Sequence, residues 1–165
     1  MHLVTGHESG QLRVWSLQDG TAIHSPPKVH NTAITSIGFL PLGDKLVTGS
    51  YDRCVYIWDV ENSYSNPCLL GTHNNIPFIA AVSAAFSSNS TQVASCSNDG
   101  VKMWNALYPT LSYTLHSNAP TKGVFLVAIL PDGSRIATAG GDKAIHIFRA
   151  NNGIAPLKVS CLWQL

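Results

Sequence analysis

Four stretches of the chain repeat one pattern of apolar and polar positions. They are LVTGHESGQLRVW at 3–15, LVTGSYDRCVYIW at 46–58, VASCSNDGVKMW at 93–104 and IATAGGDKAIHIF at 136–148. In each, a short apolar run with a hydroxyl at its third residue leads into a polar turn, and a second run closes on an aromatic. Apolar and polar residues alternate most clearly in Cys54–Trp58 and Ala144–Phe148, which is the period of a strand. The Ser, Asn, Asp and Gly content at 50–53, 97–100 and 140–143 supplies the turn between the two strands. A third strand is expected upstream of three of these pairs, at 34–39, 80–86 and 124–129. It is joined to the pair by the turns 41–44, 87–90 and 131–134. A fourth is expected after each aromatic, near 21–25, 67–72, 111–115 and 155–163. No helical period longer than a turn is visible, so the pattern predicts an all-β chain of about fifteen strands.

The closing aromatics fall at Trp15, Trp58, Trp104 and Phe148, a spacing of 43 to 46 residues. Self-similarity at such a period marks a repeat architecture in which each unit is one small sheet. Three histidines, His30, His73 and His116, precede the upstream strands. Each lies 22 to 26 residues before a turn aspartate, Asp52, Asp99 or Asp142. Four residues before each aspartate stands a hydroxyl: Thr48, Ser95 or Thr138. Thr5 holds the same place in the first stretch.

These co-occurring positions resemble the WD-repeat family. Trp58-Asp59 is the family's dipeptide, and Trp15-Ser16, Trp104-Asn105 and Phe148-Arg149 are decayed forms of it. The entry-loop pair of the family is weakened here to Val29-His30, Thr72-His73 and Leu115-His116. The resemblance covers essentially the whole chain. It implies a β-propeller of about four blades, at 1–27, 28–72, 73–115 and 116–165, the first lacking its first strand. Family propellers usually close with seven blades, so an incomplete or open propeller is expected: a fragment or short isoform, or a chain that completes a ring with another copy. A closed four-blade ring is the alternative.

The resemblance also implies a hydrogen-bonded network inside each blade: His30, Thr48, Asp52 and Trp58 in one, His73, Ser95, Asp99 and Trp104 in the next. His116, Thr138 and Asp142 form the third, where Phe148 has no proton to donate. A buried indole N–H wants an acceptor, and a hydroxyl both accepts and passes a donor onward. Ser or Thr with His and Asp are also the parts of a nucleophilic triad. An enzyme needs one such site, and this chain carries the set three times, which favours a structural role.

Composition narrows the function classes. Apolar residues make up 45% of the 165 and charged ones 12%, enough for a packed core and too apolar for a disordered chain. Ten Lys and Arg stand against nine Asp and Glu, and Lys28, Lys45, Lys102 and Lys158 do not cluster in sequence. The basic stripe with stacking aromatics that would favour nucleic acid is therefore not visible. Four cysteines lie far apart with no CxxC pair, and the seven histidines show no metal-ligand spacing, so neither metal nor cofactor is expected. No stretch reaches the ~20 apolar residues of a membrane helix, and no secretory leader is recognised. An intracellular protein, cytoplasmic or nuclear, is the expectation.

The resemblance implies a non-catalytic scaffold that docks other proteins on its loops. A nucleic-acid-associated subunit and a propeller enzyme are the alternatives. Candidate contacts on the loop face are Glu8, Tyr51, Arg53 and Asn98, with Phe78 in the longer loop after His73. Tyr51 and Arg53 rank first because Tyr and Arg carry much interface energy. The register buries Trp58, so Trp58→Ala is expected to cost roughly 3–5 kcal/mol in thermal or denaturant unfolding. An unchanged midpoint would place that indole on the surface.

Overall fold

A computed structural model describes residues 2–74, 83–87, 90–108, 110–115, 123–130, 132–150 and 157–159. These residues build four antiparallel sheets with no helix among them, and so none long and apolar enough to cross a membrane. The first sheet has three strands, β1 (His2–Gly6), β2 (Leu12–Ser16) and β3 (Ala22–His24). The second runs β4 (Ile34–Phe39), β5 (Lys45–Ser50), β6 (Cys54–Asp59) and β7 (Cys68–Thr72). The third runs β8 (Ser83–Phe86), β9 (Gln92–Ser97), β10 (Gly100–Asn105) and β11 (Thr110–Leu115). The fourth runs β12 (Val124–Ile129), β13 (Arg135–Gly140), β14 (Ile145–Arg149) and β15 (Leu157–Val159). Every connection within a sheet joins neighbours, so each is a meander. Of the upstream strand expected at 80–86, residues 83–86 are paired, and 80–82 lie outside the described residues.

The sheets stack face to face in chain order, and the core is three layers trapped between them. Between the first and second sheets lie Val4, Leu12 and Val14 against Leu46, Trp58 and Tyr64. Between the second and third lie Val47, Val55, Ile57 and Leu70 against Val93, Trp104 and Ala106. Between the third and fourth lie Cys96, Val101, Met103 and Leu115 against Val127, Ile136 and Phe148. Alternation decides which layer a residue joins: Val55 and Ile57 face the following sheet, Tyr56 and Trp58 the preceding one. The middle sheets are covered on both faces. Hence β5 and β9 are buried at five successive residues, where a strand with one wet face would be buried at every second. Among the described residues the first and fourth sheets make no extensive contact.

Two glycines set how closely neighbouring sheets approach. Gly10 has φ +84°, and a Cβ there would lie 2.2 Å from the His30 carbonyl oxygen, so the first hairpin turn presses on the backbone entering the second sheet. The same junction is tied by the Ile34 N–H donating to the His7 carbonyl at 3.2 Å. A Cβ on Gly71 would lie 2.4 and 2.5 Å from two ring atoms of Trp104. That ring is buried, and its indole N–H is held by Ser95, so it has little room to withdraw. Gly71→Ala is therefore expected to overpack this junction and cost about 1–3 kcal/mol in unfolding free energy. An unchanged denaturation midpoint would mean that the third sheet does not seat on β7.

Candidate functional site

The turns between the two central strands of every sheet lie at one end of the stack, beside the loops that enter the next strands. In the second sheet the link begins at Trp58, whose indole N–H donates to Thr48 Oγ1 at 3.0 Å. Thr48 Oγ1 lies 2.7 Å from His30 Nε2, and His30 Nδ1 lies 3.0 Å from Asp52 Oδ2. Asp52 also accepts the backbone N–H of Asn31 at 2.8 Å and of Cys54 at 2.9 Å. One carboxylate thus clamps the entry loop and both sides of the hairpin turn. Burial lowers the His30 pKa, outweighing the opposing pull of Asp52. A neutral ring with the proton on Nδ1 suits every partner: it donates to Asp52 and accepts from Thr48. The Tyr56 ring meets the imidazole edge-on at 5.0 Å.

The third sheet repeats the arrangement with Ser95 for threonine. The Trp104 indole N–H donates to Ser95 Oγ at 2.7 Å, Ser95 Oγ lies 2.8 Å from His73 Nε2, and His73 Nδ1 lies 2.5 Å from Asp99. Asp99 accepts the Asn74 N–H at 2.7 Å and faces the Lys102 ammonium at 3.2 Å. Burial raises the Asp99 pKa, but the hydrogen bond and charge of His73, with the Asn74 amide and Lys102, outweigh it and bring it to about 2.

The first and fourth sheets depart from the pattern. In the first, the Trp15 indole N–H donates to Thr5 Oγ1 at 2.8 Å, and His7 Nε2 lies 3.2 Å from that hydroxyl. His7, two residues beyond the threonine, fills the place that a loop histidine fills elsewhere. In the fourth, Thr138 is buried and Asp142 meets His146 Nε2 at 2.6 Å, while His116 lies outside the described residues. Sequence reasoning missed both histidines. His146 shows a signal only in hindsight: it stands directly opposite Thr138, as Tyr56 stands opposite Thr48.

The residues put forward as contacts separate into three groups. Glu8, Tyr51 and Arg53 are exposed on their turns. Asn98 is half-buried against the next junction, since a Cβ on Gly123 would lie 2.1 Å from its Oδ1. Phe78 lies outside the described residues. The residue that follows the turn acid, or its equivalent, has positive φ in every sheet: Gly10 at +84°, Arg53 at +74°, Gly100 at +111° and Lys143 at +61°. Glycine takes this conformation freely, whereas Arg53 and Lys143 adopt it at a cost of about 1–2 kcal/mol each. No group of three or more His, Cys, Asp or Glu side chains suited to a metal occurs among the described residues.

Comparison with known proteins gives the arrangement its context. The family described as "WD domain, G-beta repeat" matches residues 20–59, 68–105 and 109–149. Protein tipD of Dictyostelium discoideum is 29% identical over 135 residues, covering 80% of this chain and 20% of tipD. The B-type cell cycle switch protein ccs52B of Medicago truncatula is 26% identical over 173 residues, covering 99% of this chain and 34% of ccs52B. The anaphase-promoting complex subunit cdh1 of Dictyostelium discoideum is 24% identical over 127 residues, covering 73% of this chain and 16% of cdh1. The chain thus spans about a third or less of the length of these relatives.

The buried imidazole makes stability depend on pH. The unfolded chain takes up a proton on His30 near the ordinary value of 6.5, and the folded chain takes it up only at lower pH. The folded state then binds fewer protons, so stability is full above 6.5 and is lost as pH falls below it. The melting temperature is expected to decline from pH 7.5 toward pH 5, and less steeply in His30→Gln, which starts from a lower midpoint. Parallel declines in the two proteins would show that His30 is not the group responsible.

Proposed function

This chain belongs to the WD domain, G-beta repeat family, and on that premise we propose that it is a non-catalytic scaffold whose hairpin turns dock a partner protein, with Tyr51 and Arg53 at the centre of the contact. One observation carries the choice of residues. Tyr51 is 52% exposed and Arg53 is held in a left-handed backbone conformation that two of the four sheets give to glycine. Strain of this kind persists where the surroundings impose it, and it concentrates at functional sites. Here Asp52 does the imposing, through His30, Asn31 and Cys54. The two side chains are presented on a clamped turn, so little conformational entropy is lost when a partner binds.

The names of the relatives agree with a role in protein assemblies, since ccs52B is a cell cycle switch protein and cdh1 an anaphase-promoting complex subunit. The proposal places the work inside the cell, in cytoplasm or nucleus. It also includes association with further blades, from another copy or another chain. The support for that is the outer face of the first sheet, where Leu3 is 49% exposed and stands opposite the half-buried Trp15. Mass measurement in solution tests this part.

Quantitative affinity capture from cell extract compares the parent with Tyr51→Ala and Arg53→Gly. The glycine removes the guanidinium without adding backbone strain. A partner retained by the parent is expected to lose about tenfold or more in recovery with both variants, as interface anchors do, while melting of the Tyr51→Ala chain stays unchanged. Equal recovery from all three proteins would remove this turn from the interface.

A further inference from the structure

At the end of the stack opposite these turns, the residue after three of the four closing aromatics has a repeated local task. Ser16 Oγ accepts the Gln18 N–H at 3.2 Å, and Asp59 Oδ1 accepts the Asn62 N–H at 3.3 Å. Asn105 Oδ1 accepts the N–H groups of Leu107 and Tyr108 at 2.8 and 2.9 Å. A side-chain oxygen thus caps the turn that leaves the strand. The residue directly across the ladder is compatible in each case: His2 faces Ser16, Lys45 faces Asp59 and Gln92 faces Asn105. The fourth sheet breaks both rules. Its residue is Arg149, which has no oxygen to cap with, and the residue across from it is Arg135.

Like charges directly opposed in an antiparallel pair destabilise it, and they point to the same face. Both arginines are exposed, and neither guanidinium makes a hydrogen bond or an ion pair within 4.0 Å among the described residues. They line a cleft of about 460 Å³ with Asp132, Gly133 and Ser134. Asp132 lines the cleft with them: it accepts the Ser134 N–H at 2.9 Å and the Ser134 hydroxyl at 2.7 Å, and its charge also attracts Arg135. Among the described lining residues, two cations against one carboxylate still leave the cleft with an excess of positive charge.

We propose that the Arg135–Arg149 pair is a recognition site for the oxyanions of an acidic peptide segment on a partner protein. Two guanidinium forks side by side on adjacent strands match carboxylate or phosphate oxygens, each able to donate two parallel hydrogen bonds. The cleft is in the range of ligand clefts, roughly 300–1,000 Å³, and larger than one inorganic ion fills. Among the described residues no aromatic lines it, and the chain's net charge is only +1, so a stacked, tracked polynucleotide is a poor occupant. The site is independent of Tyr51 and Arg53, because it lies at the other end of the sheets.

The test uses the whole chain and fluorescence anisotropy with three labelled probes of equal length: an all-glutamate peptide, a peptide with two phosphoserines among glutamates, and a single-stranded oligonucleotide. The variants are Arg149→Asp, which recreates the complementary pairing seen at Lys45 and Asp59, and Arg135→Gln. At least one peptide is expected to bind the parent and to lose about tenfold or more in affinity with either variant, the size of one lost charge-assisted hydrogen bond. Arg149→Asp is expected to melt at or above the parent temperature, because a repulsion is replaced by an attraction, which separates lost binding from lost folding. The stronger of the two peptides tells carboxylate from phosphate as the preferred group. Peptide affinity that is absent in the parent or unchanged in the variants would overturn the proposal, and so would an oligonucleotide that binds better than both peptides.

Discussion

A tryptophan buried between two sheets brings an indole N–H with it, and that proton has to meet an acceptor where no water reaches. Thr48 and Ser95 are those acceptors, and each is itself fully buried. A buried hydroxyl must in turn use its own proton, which it directs to an imidazole nitrogen. The other imidazole nitrogen ends on an aspartate at the edge of the layer, where solvent and backbone amides stabilise the charge. Each link contributes roughly 1 kcal/mol, while an orphaned member would cost about 1–3, so the set is held together mainly by what its removal would expose. Because the aspartate also collects amides from the entry loop and the hairpin, satisfying one indole fixes the shape of the turns at that end of the blade.

The same constraint explains the exceptions. Where Phe148 replaces tryptophan there is no indole proton to place, and Asp142 takes a bond from His146 on the adjacent strand. In the first sheet the hydroxyl of Thr5 has both Trp15 and His7 within reach, so a neighbour in sequence serves where a loop residue serves elsewhere. The substitution is complete in neither chemistry nor burial: in the fourth sheet His146 Nδ1 is buried without a hydrogen-bond partner among the described residues. The apolar layers are less forgiving. Trp104 sits so close to Gly71 that no side chain fits between them, and the Gly10 turn rests on the backbone of His30. Neighbouring sheets are thereby locked one to the next, as in other arrays whose units contact only their neighbours.

A rigid stack presents two ends with different freedoms. At one end the aspartate clamp holds Arg53 in a backbone conformation that it pays strain to keep, and Tyr51 stands beside it in solvent. At the other end a side-chain oxygen caps three turns, and the fourth gives that bond up for an arginine facing an arginine. Both departures lie on a surface where packing does not dictate the residue. There, a locally unfavourable choice needs a reason beyond the fold.

Most of the architecture was legible in the order of residues. The strands at 34–39, 124–129 and around each closing aromatic are local objects, defined by two-residue alternation and turn chemistry, and a recurring aromatic spacing shows that they belong to equivalent units. The pairing of His30 with Asp52 and of His73 with Asp99 could be named because the WD-repeat resemblance implies it, on residue types that recur at similar separations along the chain. What only the tertiary structure decided involves residues from different strands or sheets that share no repeated signature. His146 reaches back to Asp142 in the turn that leads into its own strand, Asn98 lies against Gly123 of the next junction, and Arg135 faces Arg149 through ladder register. Periodicity reports which face a residue takes within its own strand. It does not report what lies opposite, because that depends on how strands register and how closely sheets approach, and both are set by packing.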